Sequence, residues 1–294
     1  MLVVNLVGGL GNQLFQYAAG RALAVQYGVE LKLDISDFVR YPPRRYLLNH
    51  FAIEGKFASP DELGRFDRDP PRWSGAARRL LARLSGRDAG LGRTIFERGF
   101  PYQVIRFDPA VDTLLIGYWQ SERYFLPIAP RIRQELTLRA PPPEVSAPLL
   151  ETIDRNAAVS LHVRRGDYVS NPAVQAKHGV CGLDYYQAAV AHILAVEPAA
   201  RFYLFSDDLD WVRSNLRIEA PCEYVDLNGP DQPHEDLRLM SRCRHHIIAN
   251  SSLSWWGAWL NPRPDKVVIA PRQWFAPGSK RDARDIVPGG WIRL

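Results

Sequence analysis

Short apolar runs alternate with helix-length segments throughout the second half of the chain. These strand-like runs and helical patterns follow one another at 157–163, 184–196, 201–205, 208–216, 223–226, 234–242, 245–249, 253–260 and 266–270. Apolar strands that alternate with helices in this way predict a parallel, doubly wound sheet.

The first half shows the same pattern less completely. Strands are predicted at 2–7, 31–34 and 113–118 and helices at 13–27 and 123–134, whereas 36–110 carries loops and short helices. The proline run Pro141–Pro143 cannot lie inside a helix and forms a stiff, extended connector. We therefore predict an α/β protein of two Rossmann-like domains, residues 1–140 and 141–294, whose parallel sheets face each other across a cleft.

The composition is that of a folded globular protein, with 46% hydrophobic and 23% charged residues among 294. Cys181, Cys222 and Cys243 lack metal-site spacing and are too few for a disulfide framework, which favours a reducing, cytoplasmic environment. The chain starts directly with a strand-like run, so neither a signal peptide nor a transmembrane helix is expected.

The net charge of +5 is unevenly placed, because the excess of basic residues lies in the first half. There, residues 73–84 combine an apolar stripe at helical spacing with Arg78, Arg79 and Arg83. Such a helix suits peripheral contact with an anionic membrane surface, and it equally suits an ordinary helix with a solvated basic face, which we favour. No nucleic-acid motif accompanies the arginines, so a nucleic-acid partner is not expected.

The most informative motif is His162-Val163-Arg164-Arg165-Gly166-Asp167-Tyr168, which follows a buried strand. Strand alternation predicts that His162 and Arg164 point to one face and Arg165 to the other. Two guanidiniums at the carboxyl end of a strand suit a diphosphate, since each offers paired N–H donors. The alternative is that both arginines pair with nearby acidic side chains.

A glycine loop, Gly8-Gly9-Leu10-Gly11-Asn12-Gln13, joins the first strand to the first helix. Its glycines permit close backbone approach, and the helix N-terminus favours an anion. Asn12 and Gln13 add neutral hydrogen-bonding groups at the rim of the predicted cleft. The glycine spacing matches neither the dinucleotide fingerprint nor the P-loop.

Two further strands also end in polar residues. Asp207 and Asp208 follow the strand at 201–205; one of them suits the N–H donors of a guanine edge and the other a helix cap. Ser251 and Ser252 precede the helix at 253–260, where serines act as caps or bind phosphate. His245 and His246 have no carboxylate partner at catalytic spacing and are interpreted as structural.

Together these segments resemble the bacterial α-1,2-fucosyltransferases of glycosyltransferase family 11 and, more distantly, the α-1,6- and protein O-fucosyltransferases. The resemblance covers most of the chain, in segments at 8–17, 162–168, 205–208 and 236–256. Residues 117–124, Gly-Tyr-Trp-Gln-Ser-Glu-Arg-Tyr, are also similar to a family segment.

The resemblance implies a GT-B fold, GDP-fucose as donor, inversion at the anomeric carbon, and no metal or other cofactor. It implies that Arg164 holds the β-phosphate with support from Arg165. It also implies that His162 contacts guanosine together with Asp207 or Asp208, of which Asp208 is favoured.

Further site residues follow from the same resemblance. Ser251 and Ser252 are expected to donate to the diphosphate, and Asn12, with Gly11 beside it, to lie near the sugar and phosphate. The predicted catalytic residues are therefore Asn12, Arg164, Arg165 and Asp167. Arginines at the leaving oxygen stabilise the charge that develops there, by about 3 kcal/mol per donor.

The resemblance implies transfer of L-fucose to the 2-hydroxyl of a terminal galactose on a surface oligosaccharide of the O-antigen type, lipid-linked or free. The general base is not identified: Asp167 lies beside the predicted diphosphate site, but it equally suits a role in positioning Arg164, and the departing phosphate could accept the proton. Another linkage, another GDP-sugar and a non-catalytic GDP-binding domain remain alternatives. The expected location is cytoplasmic, with the inner face of the membrane as an alternative.

Overall fold

The computed structural model describes residues 1–40, 44–68 and 92–294, which form two compact units, Met1–Thr137 and Leu138–Leu294. The predicted domain boundary, after residue 140, lies within three residues of this division. The predicted basic helix at 73–84 lies outside the described residues. No helix in the described ranges is both long enough and apolar enough to cross a membrane.

The first unit contains a five-stranded sheet in which all paired strands are parallel, in the order β3-β2-β1-β5-β4. The strands are β1 Leu2–Asn5, β2 Leu31–Asp34, β3 Lys56–Phe57, β4 Arg93–Phe96 and β5 Thr113–Ile116. The described α-helices are α1 Leu10–Tyr27, α2 Asp37–Arg40, α3 Pro60–Leu63 and α4 Ala129–Glu135. Short 3-10 helices occupy Leu48–His50, Glu122–Tyr124 and Leu126–Ile128.

Helix α1 packs directly on the central strand β1. A Cβ atom at Gly20 would lie 2.1 Å from Cγ2 of Val4, so glycine is required for this close approach. The helix ends at Gly28, whose left-handed backbone (φ 64°) returns its N–H to the carbonyls of Ala24 and Val25. The glycine loop after β1 is thereby placed on a rigid strand–helix junction.

The second unit contains a six-stranded parallel sheet in the order β11-β10-β9-β6-β7-β8. Its strands are β6 Ala158–Val163, β7 Arg201–Ser206, β8 Cys222–Tyr224, β9 His245–Ile247, β10 Val268–Ala270 and β11 Ile292–Arg293. Its helices are α5 Ala147–Arg155, α6 Gly166–Ser170, α7 Pro172–His178, α8 Leu183–Val196, α9 Leu209–Asn215, α10 Pro233–Arg242 and α11 Ser252–Leu260.

Strand β6 is buried on both faces, as expected for the centre of a doubly wound sheet. Its alternate side chains Val159, Leu161 and Val163 join the core beneath α8, whereas Ala158 joins the core formed with α5 and α10. The three tryptophans of α11 are buried, as predicted.

His245 and His246 are structural, as predicted. Hydrogen bonds of 2.8 and 2.9 Å join the imidazole of buried His246 to Ser160 and Asn261. Nδ1 of His245 accepts from the backbone N–H of Val267 at 2.9 Å. The hydrogen bonds of both rings therefore help to fix strand β9 against the neighbouring segments.

Most predicted elements of the second unit are confirmed to within a few residues at each end. The helix predicted at 123–134 is partly wrong, because α4 begins only at Ala129, after two 3-10 turns. Pro127 and Pro130 lie in this region, and proline lacks the N–H that a continuous helix needs. The short strands β3, β4 and β11 were not predicted.

Candidate functional site

The central strands of the second sheet bring three polar segments to one edge. Strand β6 pairs in parallel with β7 on one side, with Val163 opposite Ser206, and with β9 on the other. The residues that follow each strand therefore meet at the carboxyl edge of the sheet. These are the predicted site residues Arg164, Arg165, Asp207, Asp208, Ser251 and Ser252.

The two arginines pair with the two aspartates. Nη1 of Arg164 lies 2.8 Å from Oδ2 of Asp207, and Nε of Arg165 donates to Oδ2 of Asp208 at 3.1 Å. The backbone N–H of Arg165 also donates to Oδ1 of Asp207 at 2.9 Å. The acidic pairing considered as the alternative for these arginines is thus present in this structure. Each guanidinium carries further N–H donors beyond these contacts.

The predicted alternation of His162, Arg164 and Arg165 assumes that the two arginines continue strand β6. Strand β6 ends at Val163, and both guanidiniums pair with the single segment Asp207–Asp208. The alternation of side chains holds only within strand geometry, which these arginines have left.

Aromatic rings lie against both guanidiniums. The guanidinium carbon of Arg165 lies 3.6 Å from the centre of a Trp211 ring, and that of Arg164 lies 5.3 Å from the Tyr168 ring. Cation–π contacts of this kind favour a fixed guanidinium plane. Trp211 was not singled out from the sequence, since its side chain reaches Arg165 only through the fold.

Gly166 makes room for the carboxylate of Asp207. A Cβ atom on Gly166 would lie 2.2 Å from Oδ2 and 2.9 Å from Cγ of Asp207. The glycine after the two arginines therefore has a steric role in the Arg–Asp arrangement. Asp167, the next residue, belongs to α6, and its side chain lies outside the described structure.

Asp208 is the N-cap of α9, because its Oδ1 accepts from the N–H of Trp211 at 3.3 Å. Its own N–H donates to the hydroxyl of Ser206 at 3.0 Å. The helix-capping role predicted for one of the two aspartates therefore falls on Asp208. If each aspartate has one role, the guanine contact falls to Asp207, whereas the resemblance favours Asp208.

His162 is buried at the end of β6, 5% exposed, and its Nδ1 has no hydrogen-bond partner among the described residues. Burial lowers its pKa to about 4; the nearby charge of Asp207 opposes this shift and that of Arg164 adds to it. The imidazole is therefore neutral at physiological pH, and its Nδ1 is buried without a partner among the described residues.

Ser251 takes the N-cap position of α11, but its side chain makes no capping hydrogen bond. The first turn of this helix contains no acidic residue. Asn250 anchors the turn, because its amide donates to the carbonyls of His178 (2.9 Å) and Trp274 (3.2 Å). The predicted phosphate-binding serines therefore stand at a helix N-terminus that an anion would favour.

The predicted residues Gly11 and Asn12 belong to the first unit, at the carboxyl edge of its own sheet. Gly8 has a left-handed backbone (φ 80°), and a Cβ there would lie 2.7 Å from Nδ2 of Asn12. Oδ1 of Asn12 accepts from the amide of Gln120 at 2.8 Å. The amide N–H donors of Asn12 have no partner among the described residues.

Gln13 does not lie at an accessible rim, contrary to the prediction. Its side chain is fully buried, donating to the carbonyls of Gly8 (3.0 Å) and Arg45 (2.8 Å) and accepting from the N–H of Leu47 (2.9 Å). Three backbone groups satisfy this amide, so it holds the glycine loop in place.

Sequence reasoning also missed a carboxylate at this edge of the first sheet. Glu97 follows β4 and accepts from the backbone N–H groups of Tyr118 (2.6 Å) and Trp119 (2.9 Å). Burial raises the pKa of Glu97 despite these two hydrogen bonds.

Within the described ranges, no group of three or more His, Cys, Asp or Glu side chains is arranged to hold a metal ion. The three cysteines, all described, are free thiols. Metal independence stays a prediction, as do the roles of the individual site residues.

Comparison with known proteins gives matches along the whole chain. The chain is 33% identical over 300 residues to an α-1,2-colitosyltransferase of Escherichia coli, covering 100% of this chain and 99% of that protein. It is 41% identical over 313 residues to the O-antigen biosynthesis glycosyltransferase WbnK of Escherichia coli, covering 98% and 99%.

Among solved structures, the fold is similar to that of NodZ α-1,6-fucosyltransferase co-crystallised with GDP. The TM-score is 0.51 at 17% sequence identity, covering 91% of this chain and 94% of that one. At this identity the likeness concerns the fold alone, and it confirms the predicted GT-B class with two Rossmann-like units. The family model for glycosyl transferase family 11 matches residues 100–294. With this match and the two full-length relatives, the chain belongs to glycosyl transferase family 11.

Proposed function

We propose that this glycosyltransferase moves L-fucose from GDP-fucose to the 2-hydroxyl of a terminal galactose, with inversion at the anomeric carbon. The acceptor is a surface oligosaccharide of the O-antigen type. Two full-length relatives support glycosyl transfer of this kind, one named as an O-antigen biosynthesis glycosyltransferase and the other as an α-1,2-colitosyltransferase.

The observation that carries the proposal is the cluster at the carboxyl edge of the second sheet. Arg164 and Arg165 are oriented there by Asp207 and Asp208, beside the N-terminus of α11. GDP carries phosphate oxygens that accept from guanidiniums and a base edge whose N–H groups donate to a carboxylate. The arginines therefore suit the phosphates of this nucleotide, and one of the two aspartates suits its base.

His162 completes this donor site. Its neutral ring, with an unpartnered Nδ1, suits an uncharged nucleoside group better than a phosphate. Ser251 and Ser252 add hydroxyls at the helix N-terminus for the diphosphate. Asn12 and Gly11 keep the role predicted for them, near the sugar and phosphate of the donor.

The chemistry then depends on the leaving group. As the bond between fucose and phosphate breaks, negative charge grows on GDP while the sugar gains oxocarbenium character. Arg164 and Arg165 stabilise that charge, and the acceptor hydroxyl attacks from the opposite face. Its proton passes to Asp167 or to the departing phosphate. Guanidiniums supply the positive charge in this scheme, so the reaction needs no metal ion.

A second donor deserves a direct test because one full-length relative is named a colitosyltransferase. Colitose is fucose without its 3-hydroxyl, so the two donors differ by one polar group. A site that hydrogen-bonds the 3-hydroxyl rejects a donor without it, since its buried polar group is left unpaired.

The test is transfer by the purified protein in buffer containing EDTA. GDP-fucose, GDP-colitose and GDP-mannose are offered in turn with a galactose-terminated oligosaccharide, and the product is analysed by NMR. We expect fucose on O2 of galactose with inverted anomeric configuration, and GDP binding by calorimetry without metal. Faster transfer from GDP-colitose than from GDP-fucose would show that colitose, and not fucose, is the donor sugar.

Arg164→Ala provides the residue-level test. The variant is expected to fold but to lose transfer, together with most of its affinity for GDP. Arg201→Ala is the matched control, because Arg201 forms an ion pair of 3.3 Å with Glu223 at the amino end of β7, away from the cluster. A strict Mg²⁺ requirement, or equal activity of the two variants, would overturn the electrostatic assignment. GDP binding without hydrolysis or transfer would indicate a non-catalytic domain.

A further inference from the structure

A partly exposed cluster of aromatic side chains lies in the first unit, on the segments that precede and follow β5. The rings of Phe100 and Tyr118 are parallel within 5°, with their centres 6.3 Å apart, and Tyr118 is 39% exposed. Beside them, Tyr102 packs on Tyr124 at 4.8 Å, and the guanidinium of Arg123 lies 4.2 Å from the Tyr102 ring. The donor site proposed above uses none of these side chains.

The backbone that carries Tyr118 is held in an unusual conformation. Trp119 has a left-handed backbone (φ 55°), the only non-glycine residue of the described chain with positive φ. A bulky residue rarely adopts this conformation, and such strain is concentrated at binding sites. Glu97 fixes the turn by accepting from both Tyr118 and Trp119, and a Cβ at Gly117 would lie 2.4 Å from Cβ of Glu97.

The same turn is tied to the glycine loop. The amide of Gln16 donates to the carbonyl of Gly117 at 3.0 Å and accepts from the N–H of Val7 at 3.0 Å. The amide of Gln120 donates to Asn12 at 2.8 Å. The cluster of aromatic side chains is thus rigidly connected to a residue that the proposed function places near the transferred sugar.

One polar group in this turn lacks a partner. Trp119 is 1% exposed, yet its Nε1 makes no hydrogen bond to any described residue. A buried donor without an acceptor costs free energy, which a ligand oxygen would recover. Aromatic faces beside polar donors suit a sugar ring, which has C–H groups on its face and hydroxyls around its edge.

We propose that Phe100, Tyr118 and the turn at Gly117–Gln120 form the binding site for a hexose ring of the acceptor. The ring stacks on Tyr118, and Glu97 acts as a positioning residue that fixes the turn. This inference rests on the proposed function, because it requires a saccharide acceptor. It names the residues that select the acceptor, whereas the cluster in the second unit selects the donor.

The test compares Tyr118→Ala with Phe57→Ala. Phe57 is also exposed, at 55%, and packs on another ring, Tyr46, at 5.5 Å, so its removal is a matched control on strand β3. We expect Tyr118→Ala to raise KM for the galactose-terminated acceptor about tenfold, equivalent to about 1.4 kcal/mol. KM for GDP-fucose and the rate of donor hydrolysis in water should not change. Tyr118→Phe should retain acceptor KM within about twofold, because the ring remains.

Unchanged acceptor KM in Tyr118→Ala, or an equal rise in Phe57→Ala, would overturn the proposal. Saturation-transfer NMR with the oligosaccharide alone separates this proposal from the proposed function. If the wild type transfers no sugar, the proposed function fails, while a saccharide signal that Tyr118→Ala abolishes still supports the binding site. Absence of any signal on the wild type overturns the binding site. Phe100→Ala repeats each measurement if Tyr118→Ala does not fold.

Discussion

Replacing Gly166 with alanine should disturb the Arg–Asp cluster through a single methyl group. The backbone of Gly166 does not have positive φ, so alanine is conformationally allowed there. The new Cβ would instead lie 2.2 Å from Oδ2 of Asp207, and this carboxylate must move. Asp207 would then lose its ion pair with Arg164 and its hydrogen bond from the N–H of Arg165.

The size of the effect follows from these two contacts. Both side chains of the ion pair are about a quarter exposed, which reduces the value of the pair to about 1 kcal/mol. The charge-assisted hydrogen bond from the Arg165 backbone contributes about another 1 kcal/mol. We therefore expect Gly166→Ala to lower the free energy of unfolding by about 2 kcal/mol. We also expect it to weaken GDP binding about tenfold, since the freed guanidinium loses its orientation.

The assay is urea unfolding together with GDP calorimetry, arranged as a double-mutant cycle with Asp207→Ala. When Asp207 is truncated, the nearest of its atoms to the new methyl group is Cβ, at an ordinary 3.7 Å, so Gly166→Ala should cost almost nothing in that background. Gly229→Ala is the control, because no atom lies within 4 Å of a Cβ there. Equal losses with and without the Asp207 carboxylate would refute the steric argument.

Three further predictions concern other parts of the structure. Burial lowers the pKa of His162 from 6.5 to about 4, so between these values the unfolded chain binds a proton that the folded chain does not. The contribution of His162 to stability is therefore fully present above pH 6.5. The free energy of unfolding, measured with urea, should fall by about 2 kcal/mol between pH 7 and pH 5. Gln13→Leu removes the partner of three partly buried backbone groups and should cost about 2 kcal/mol in thermal or urea unfolding. Trp211→Leu removes the ring against Arg165 and should weaken GDP binding about fivefold by calorimetry, equivalent to about 1 kcal/mol.

Each of these predictions has a matched control. In His162→Asn, the free energy of unfolding should depend less on pH than in the wild type. If the two proteins show the same pH profile of stability, other groups cause the dependence. Gln187→Leu changes an exposed glutamine on α8 and should leave stability nearly unchanged. Tyr224→Leu removes the ring beneath Arg213, outside the predicted donor site, and GDP affinity that falls equally there would contradict the role of Trp211.

The sequence predicted the strands that lie at the centre of the sheets. Strand β6 is apolar along its whole length because both faces are buried, and that pattern is visible without a structure. Strands β3 and β11 have only two residues each, too few to show any period. Strand β4 has one exposed and three half-buried residues, and it lies in a region without a clear apolar pattern.

The sequence predicted the polar segments that meet at the carboxyl edge of the second sheet, but not which side chains pair within them. Arg164 and Asp207 are 43 positions apart, and their pairing depends on the register of β6 with β7, which the sequence does not specify. Gln13 is predicted at the rim of the cleft as a neutral hydrogen-bonding group, whereas the fold buries its side chain, which binds three backbone groups. The sequence shows which side chains are polar, but their hydrogen-bond partners depend on the pairing and register of the strands.

The pairing of two guanidiniums with two carboxylates brings this edge of the sheet close to electrical neutrality. A simple anion such as inorganic phosphate meets little net positive charge there and offers the carboxylates no N–H donor, so it gains little. If the cluster binds a nucleotide, Asp207 and Asp208 therefore contribute to its selectivity against free inorganic phosphate as much as Arg164 and Arg165 do.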